Sequence, residues 1–156
     1  PLTILVENEK LNLTGDRVVS RATSRAMRQL LRLAVTHGTG RKAEVPGYWV
    51  GGKTGTAEKV GPKGYDRTKI LSSFVGIFPI TAPRYLVFAM LDEPKGTPAT
   101  QGRATGGWTA APVVGHVIAR IGPMIGIKPE AEAAVKGRLG ETVIKLDGDE
   151  IRLAAY

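Results

Sequence analysis

The segment Gly51-Gly-Lys-Thr-Gly-Thr-Ala57 sets one lysine and two threonines among small residues, just ahead of a run of short apolar segments. Placed on the edge of a sheet, it has chemistry to offer. An edge strand presents unpaired N–H and C=O groups with which an extended peptide can pair. Gly55 leaves room for that peptide's backbone to approach. The hydroxyls of Thr54 and Thr56 suit a carboxylate, Lys53 adds a positive charge and donors, and a backbone N–H of the strand can stabilise an oxyanion. Taken alone, Lys-Thr-Gly is common by chance and reads equally well as a strand running into a turn.

A competing pattern covers the same residues. Gly47 to Thr54 satisfies Gly-x-x-x-x-Gly-Lys-Thr, the phosphate-binding loop. That loop works only between a hydrophobic strand and a helix whose amino end supplies N–H groups. Here Arg41 to Pro46 is a poor buried strand, and Tyr48 and Trp49 fill the would-be cradle. Gly55, Thr56 and then Gly61-Pro62 will not sustain a helix after the lysine. The phosphate loop is rejected.

Local patterns define the elements that must position the strand. Pro1 to Leu13 reads as an extended lead-in ending near Gly15. A helix is expected from Ser20, a good N-cap, to Thr36. Its apolar face is drawn from Ala22, Ala26, Leu30 and Leu33, opposite Arg17, Arg21, Arg25, Arg28 and Arg32, which recur three or four residues apart and read as a solvated face. His37-Gly38-Thr39-Gly40 ends it, a glycine supplying a left-handed cap. Strands are expected over 48–59, 70–78 and 85–91, with residues 60–69 as a polar hairpin tip. The third, continuously apolar, should be covered on both faces. The short link 79–83 favours antiparallel neighbours, giving a three-stranded meander. Residues 92–107 form a Gly- and Thr-rich loop. A second helix runs from Pro112 to about Ile121 on a stripe of Val113, Val114, Val117, Ile118 and Ile121, ended by Gly122-Pro123. In the tail, 142–146 and 150–153 flank Asp147-Gly148, a hairpin signal.

Composition bounds the function. The chain has 156 residues, 42% hydrophobic and 23% charged, which suits one core. Its first residue is proline, and the expectation is a piece of a longer protein. The longest uncharged stretch, Ala104 to Ala119, is interrupted by glycines and a proline and is too short to span a membrane. There is no cysteine, hence no disulfide and no thiolate metal site. Twenty-two Lys and Arg against 14 Asp and Glu give a net charge of +8, which permits polyanionic neighbours. No aromatic residue is interleaved with the helix arginines, so a base-stacking platform and a nucleic-acid partner are not expected. The two histidines make no metal site: His37 caps a helix end, and His116 faces away from its helix's apolar stripe. Asp92 and Glu93, adjacent, are loop-entry residues rather than an acid/base pair. Trp49 and Trp108 read as packing residues.

More than the short strand motif matches a known pattern. Gly38-Thr39-Gly40, Gly47-Tyr48, Gly52-Lys-Thr-Gly-Thr-Ala57, Ser73-Phe-Val-Gly76, Pro79, Pro83-Arg84-Tyr85, Asp92-Glu-Pro-Lys-Gly96 and Ala111-Pro112-Val113 occur in this order and spacing. Together they resemble class B penicillin-binding proteins, in particular the cell-division type, the septal peptidoglycan D,D-transpeptidases. The resemblance covers residues 1–129 and implies the carboxy-terminal part of a transpeptidase domain; residues 130–156 form a tail outside it. It implies an α+β fold, an antiparallel sheet flanked by helices, incomplete in this chain. It further implies acyl transfer by a serine that attacks a D-Ala-D-Ala stem peptide.

Two companion motifs of such sites, Ser-x-x-Lys and Ser-Asp-Asn, are absent: no serine here has a lysine three positions on, and no asparagine a serine two before it. By resemblance, then, Lys53 is the motif lysine and Thr54 and Thr56 recognise the terminal carboxylate of the stem peptide or of a β-lactam. The Thr56 N–H is half of an oxyanion hole whose other half lies with the missing serine. Implied partners are stem peptide, β-lactams, the upstream serine-bearing part of the same protein and divisome membrane proteins. The implied location is the periplasmic face of the cytoplasmic membrane, held by an anchor absent from this chain. No cofactor is implied. From a different class, a noncatalytic β-lactam or muropeptide sensor module would use the same strand.

Overall fold

The computed structural model describes residues 16–62 and 64–131, and the backbone of 142–146 and 149–153. The expected lead-in, Pro1 to Leu13, lies outside them. Helix α1 (Arg21–Thr36) starts where its cap predicts: the Ser20 hydroxyl accepts from the Thr23 N–H. Strands β1 (Gly51–Gly61), β2 (Gly64–Phe78) and β3 (Tyr85–Asp92) form the antiparallel meander, in the order β1-β2-β3. Helix α2 (Ala110–Met124) lies across β2 and β3, and α1 lies against β1. Strands β4 (Thr142–Leu146) and β5 (Asp149–Leu153) pair antiparallel as a separate hairpin, where the tail's turn signal places one.

The core sits between the sheet and α2. Gly76 of β2 lies opposite Gly52 of β1 and Val87 of β3, and a Cβ on it would meet the Val114 side chain at 2.7 Å. Side chains alternate along a strand, so Phe74 and Phe78 share that face. Both are fully buried, with Val114 and Ile118. The buried Ser72 is satisfied by the Thr109 hydroxyl at 2.5 Å.

Several expectations are corrected. The strands run past the expected tip: the ladder continues to Gly61 opposite Gly64, with a bulge beyond Glu58 that leaves 67–69 outside the register. There Asp66 accepts from both the N–H and the hydroxyl of Thr68, which hold its carboxyl below the ordinary value. Strand β3 is covered on one face only, and Leu86, Phe88 and Met90 are 57–62% exposed on the other. Its unbroken apolar run therefore did not signal double burial.

Helix α1 is turned from the expected orientation. It buries Gln29, Arg32 and Val35, while Ala22 is exposed and Met27 and Leu30 stay largely open. Two arginines assigned to a solvated face are in fact anchors. Arg32, 3% exposed, pairs with Glu44 through both terminal nitrogens, donates to the Val50 carbonyl at 2.8 Å and lies over the Trp49 ring. Arg28 donates to the Thr81 carbonyl at 2.9 Å. The guanidinium satisfies loop carbonyls that a leucine would strand, which outweighs the helix's own amphipathic pattern.

At the end of α1 no left-handed glycine is used. Gly38 is needed instead because a Cβ would strike the Ala34 carbonyl at 2.8 Å. Helix α2 runs to Met124 with Pro123 in its last turn, and Val113 and Val117 of its expected stripe are 41% and 36% exposed.

Candidate functional site

Strand β1 is the edge of its sheet among the described residues, so one side of its backbone is open to pairing. Lys53 and Thr56 are exposed, Thr54 and Gly55 half-buried. Thr54 lies opposite Phe74, so Thr54 and Thr56 project to the α2 side and Lys53 to the other. The Lys53 ammonium donates to the Thr54 carbonyl at 2.9 Å. No helix follows the lysine, and Tyr48 and Trp49 are buried, which disposes of the phosphate loop.

The two threonines are held from two directions. The Thr54 hydroxyl shares a 2.9 Å hydrogen bond with the Thr39 hydroxyl, just past α1. The Gly106 N–H donates to the Thr56 hydroxyl at 3.3 Å. Gly106 and Gly107 are glycines because the loop lies directly on the strand. A Cβ on Gly106 would sit 2.7 Å from the Gly55 carbonyl oxygen, and one on Gly107 would collide with the Thr39 carbonyl.

These segments border a cavity of about 840 Å³ lined by His37, Thr39, Arg41, Lys42, Thr54, Thr56, Arg103 and Trp108. Among the described residues its lining contains no carboxylate. The Lys42 ammonium and the Arg103 guanidinium lie 4.4 and 4.7 Å from the Trp108 ring centroid. The sequence reading assigned Trp108 to packing and passed over Arg41, Lys42 and Arg103. The available signal was the Gly106-Gly107 pair, which marks a backbone brought close to another, with Arg103 just ahead of it in sequence.

The remaining candidates are structural. His37 caps the end of α1 through its backbone N–H, which donates to the Leu33 carbonyl at 2.8 Å, while its ring pairs with the Thr36 hydroxyl at 2.7 Å; His116 is exposed as expected. Asp92 and Glu93 clamp Lys59 at 2.8 and 2.9 Å, tying the end of β3 to β1. The hydrogen bond that the lysine donates to Asp92, then the one it donates to Glu93, holds it above its usual value. Trp49 is buried and donates to the Glu130 carbonyl at 3.0 Å.

The order of these segments along the chain matches a known domain. Residues 4–119 fit the family model described as the penicillin binding protein transpeptidase domain. The chain belongs to this family. It is 45% identical over 141 residues to a probable peptidoglycan D,D-transpeptidase FtsI from Caulobacter vibrioides, covering 85% of this chain and 24% of that protein. To the stage V sporulation protein D of Bacillus subtilis it is 39% identical, covering 83% of the chain and 19% of the relative. Its fold is similar to the transpeptidase domain of penicillin-binding protein 3 from Burkholderia pseudomallei. That match has a TM-score of 0.65 and 39% identity, covering 76% of this chain and 34% of the other. Penicillin-binding protein 3 of Mycobacterium tuberculosis, solved complexed with ampicillin, matches with a TM-score of 0.65 and 31% identity, covering 74% and 27%. The chain is thus part of a class B transpeptidase domain, α+β with a partial sheet, and spans about a quarter or less of the length of these curated relatives.

Proposed function

We propose that this chain supplies the substrate-binding strand of a peptidoglycan D,D-transpeptidase whose nucleophilic serine lies outside these 156 residues. An extended donor peptide, or a β-lactam in its place, adds along the open edge of β1. Its terminal carboxylate is taken by the hydroxyls of Thr54 and Thr56, and Gly55 keeps the strand free of a side chain at the point of approach. The Thr56 N–H donates to the developing oxyanion, and Lys53 serves the serine-bearing elements that the rest of the domain brings. Serine attack releases D-Ala, and an amine of a second stem peptide resolves the acyl-enzyme. The observation carrying this reading is a strand that, among the described residues, is the edge of its sheet and sets two threonines on a cavity lined by no described carboxylate. The ampicillin complex of the mycobacterial relative supports it. In this reading the parent protein works at the periplasmic face of the cytoplasmic membrane among division proteins. Among the described residues, no helix is long and apolar enough to cross a membrane. Residues 1–129 belong to the transpeptidase unit, and 130–156 form its tail.

The test is covalent labelling with a fluorescent penicillin, on this chain alone and joined to a serine-bearing upstream segment. Labelling of the joined protein only, lost in Lys53→Ala, is expected. Labelling of neither would overturn the enzyme reading in favour of a noncatalytic binding module.

A further inference from the structure

We propose that the cavity beside Thr54 and Thr56 holds a second anionic subsite, formed by Lys42 and Arg103 on the Trp108 ring with Arg41 in the same lining, which selects donor peptides carrying a carboxylate besides the terminal one. This rests on the reading of β1 as the carboxylate-binding strand and goes beyond it. Three cations line one cavity with the two threonines, and among the described residues no acidic side chain lines it. The ion pairs among the described residues involve Arg32, Lys59 and Arg67, and none reaches Arg41, Lys42 or Arg103. Like charges gathered without a counter-charge repel one another, and an anion between them relieves that repulsion.

The cations are also placed, not merely present. Lys42 and Arg103 come from segments about sixty residues apart in sequence, and both lie over the same indole ring. That contact orders two flexible side chains before a ligand arrives, lowering the entropy lost on binding. The half-buried indole leaves an apolar wall for the ligand's methylenes. The fitting ligand has one carboxylate at the strand and a second on a short aliphatic arm. A basic cavity of this kind discriminates against monocarboxylates without excluding them.

The test uses the chain joined to a serine-bearing segment, with fluorescent penicillin as reporter. Two D-Ala-D-Ala peptides, identical but for a side-chain carboxylate or its amide, compete for labelling. Roughly three- to tenfold stronger protection by the dicarboxylate at low salt is expected, as for a partly exposed charge-assisted contact. That advantage should shrink in 0.5 M NaCl, where the Debye length is about 4 Å, vanish in Arg103→Gln and Lys42→Gln, and return in Arg103→Lys. Thermal melts report whether each variant is folded. Equal protection by both peptides, or an advantage that survives Arg103→Gln with Lys42→Gln, overturns this inference and leaves the strand assignment standing. Absence of labelling by penicillin overturns the enzyme reading on which this inference rests, and the second subsite with it.

Discussion

At Thr54 and Thr56, the hydroxyls that face a ligand are already engaged on the protein side, by Thr39 and by the Gly106 N–H. A hydroxyl can donate once and accept twice, so Thr56, which accepts from Gly106, keeps its proton to donate to a carboxylate. Thr56→Val should therefore weaken penicillin labelling of the joined protein by roughly tenfold, the loss of one contact to a charged group, while Thr56→Ser retains most of it. Rates of labelling at fixed penicillin concentration decide this, and an unchanged rate in the valine variant would remove Thr56 from the site. Arg32 is the other residue whose chemistry matters singly. Arg32→Ala removes the partner of Glu44 and the donor to Val50, and should lower stability by about 2–3 kcal/mol in urea unfolding, less than a fully buried pair because Glu44 is partly exposed. Arg32→Lys should recover less than half of this, since an ammonium cannot make the two-pronged contact.

The elements succeed or fail by how closely backbones approach. The loop ahead of α2 holds β1 from one side because Gly106 lets it touch the backbones of β1 and β2, and Gly107 lets it pass Thr39. Gly106→Ala should push that loop outward and destabilise the protein by about 1–3 kcal/mol, with a matching loss of penicillin labelling; an unshifted urea midpoint would show that the loop is not seated. At the far end of the sheet, the Lys59 clamp on Asp92 and Glu93 sets a pH dependence. Its pKa is raised on folding, so its contribution is complete below the unfolded value near 10.5 and is lost as pH rises through the folded one. The difference in urea midpoint between the native chain and Lys59→Met should accordingly be small but constant from pH 7 to 9, and shrink above it.

Over the whole molecule, the uncovered apolar surface is the dominant feature. Leu86, Phe88 and Met90 on the sheet, and Met27 and Leu30 on α1, are open in this chain, while the relatives are several times longer. Surface of this kind is rare on a stable monomer. The isolated chain should self-associate or bind a hydrophobic dye, and Phe88→Lys with Met90→Glu should reduce both. A compact, dye-free monomer in sedimentation would contradict this.

The sequence by itself determined the strand that carries Lys53, Thr54 and Thr56, the antiparallel order of β1 to β3, the start of α1 and the tail hairpin. Each is written in local signals: a capping serine, glycine-proline turns and links too short to cross a sheet. The tertiary structure alone decided which face of α1 is buried, that β3 is bare on one side, and that Lys42, Arg103 and Trp108 meet beside the threonines. Those outcomes depend on contacts between segments tens of residues apart. A buried arginine overrides amphipathic periodicity once it has a carboxylate and a carbonyl to satisfy. An apolar run records only that a strand could be covered on both faces, whereas the neighbours present determine whether it is.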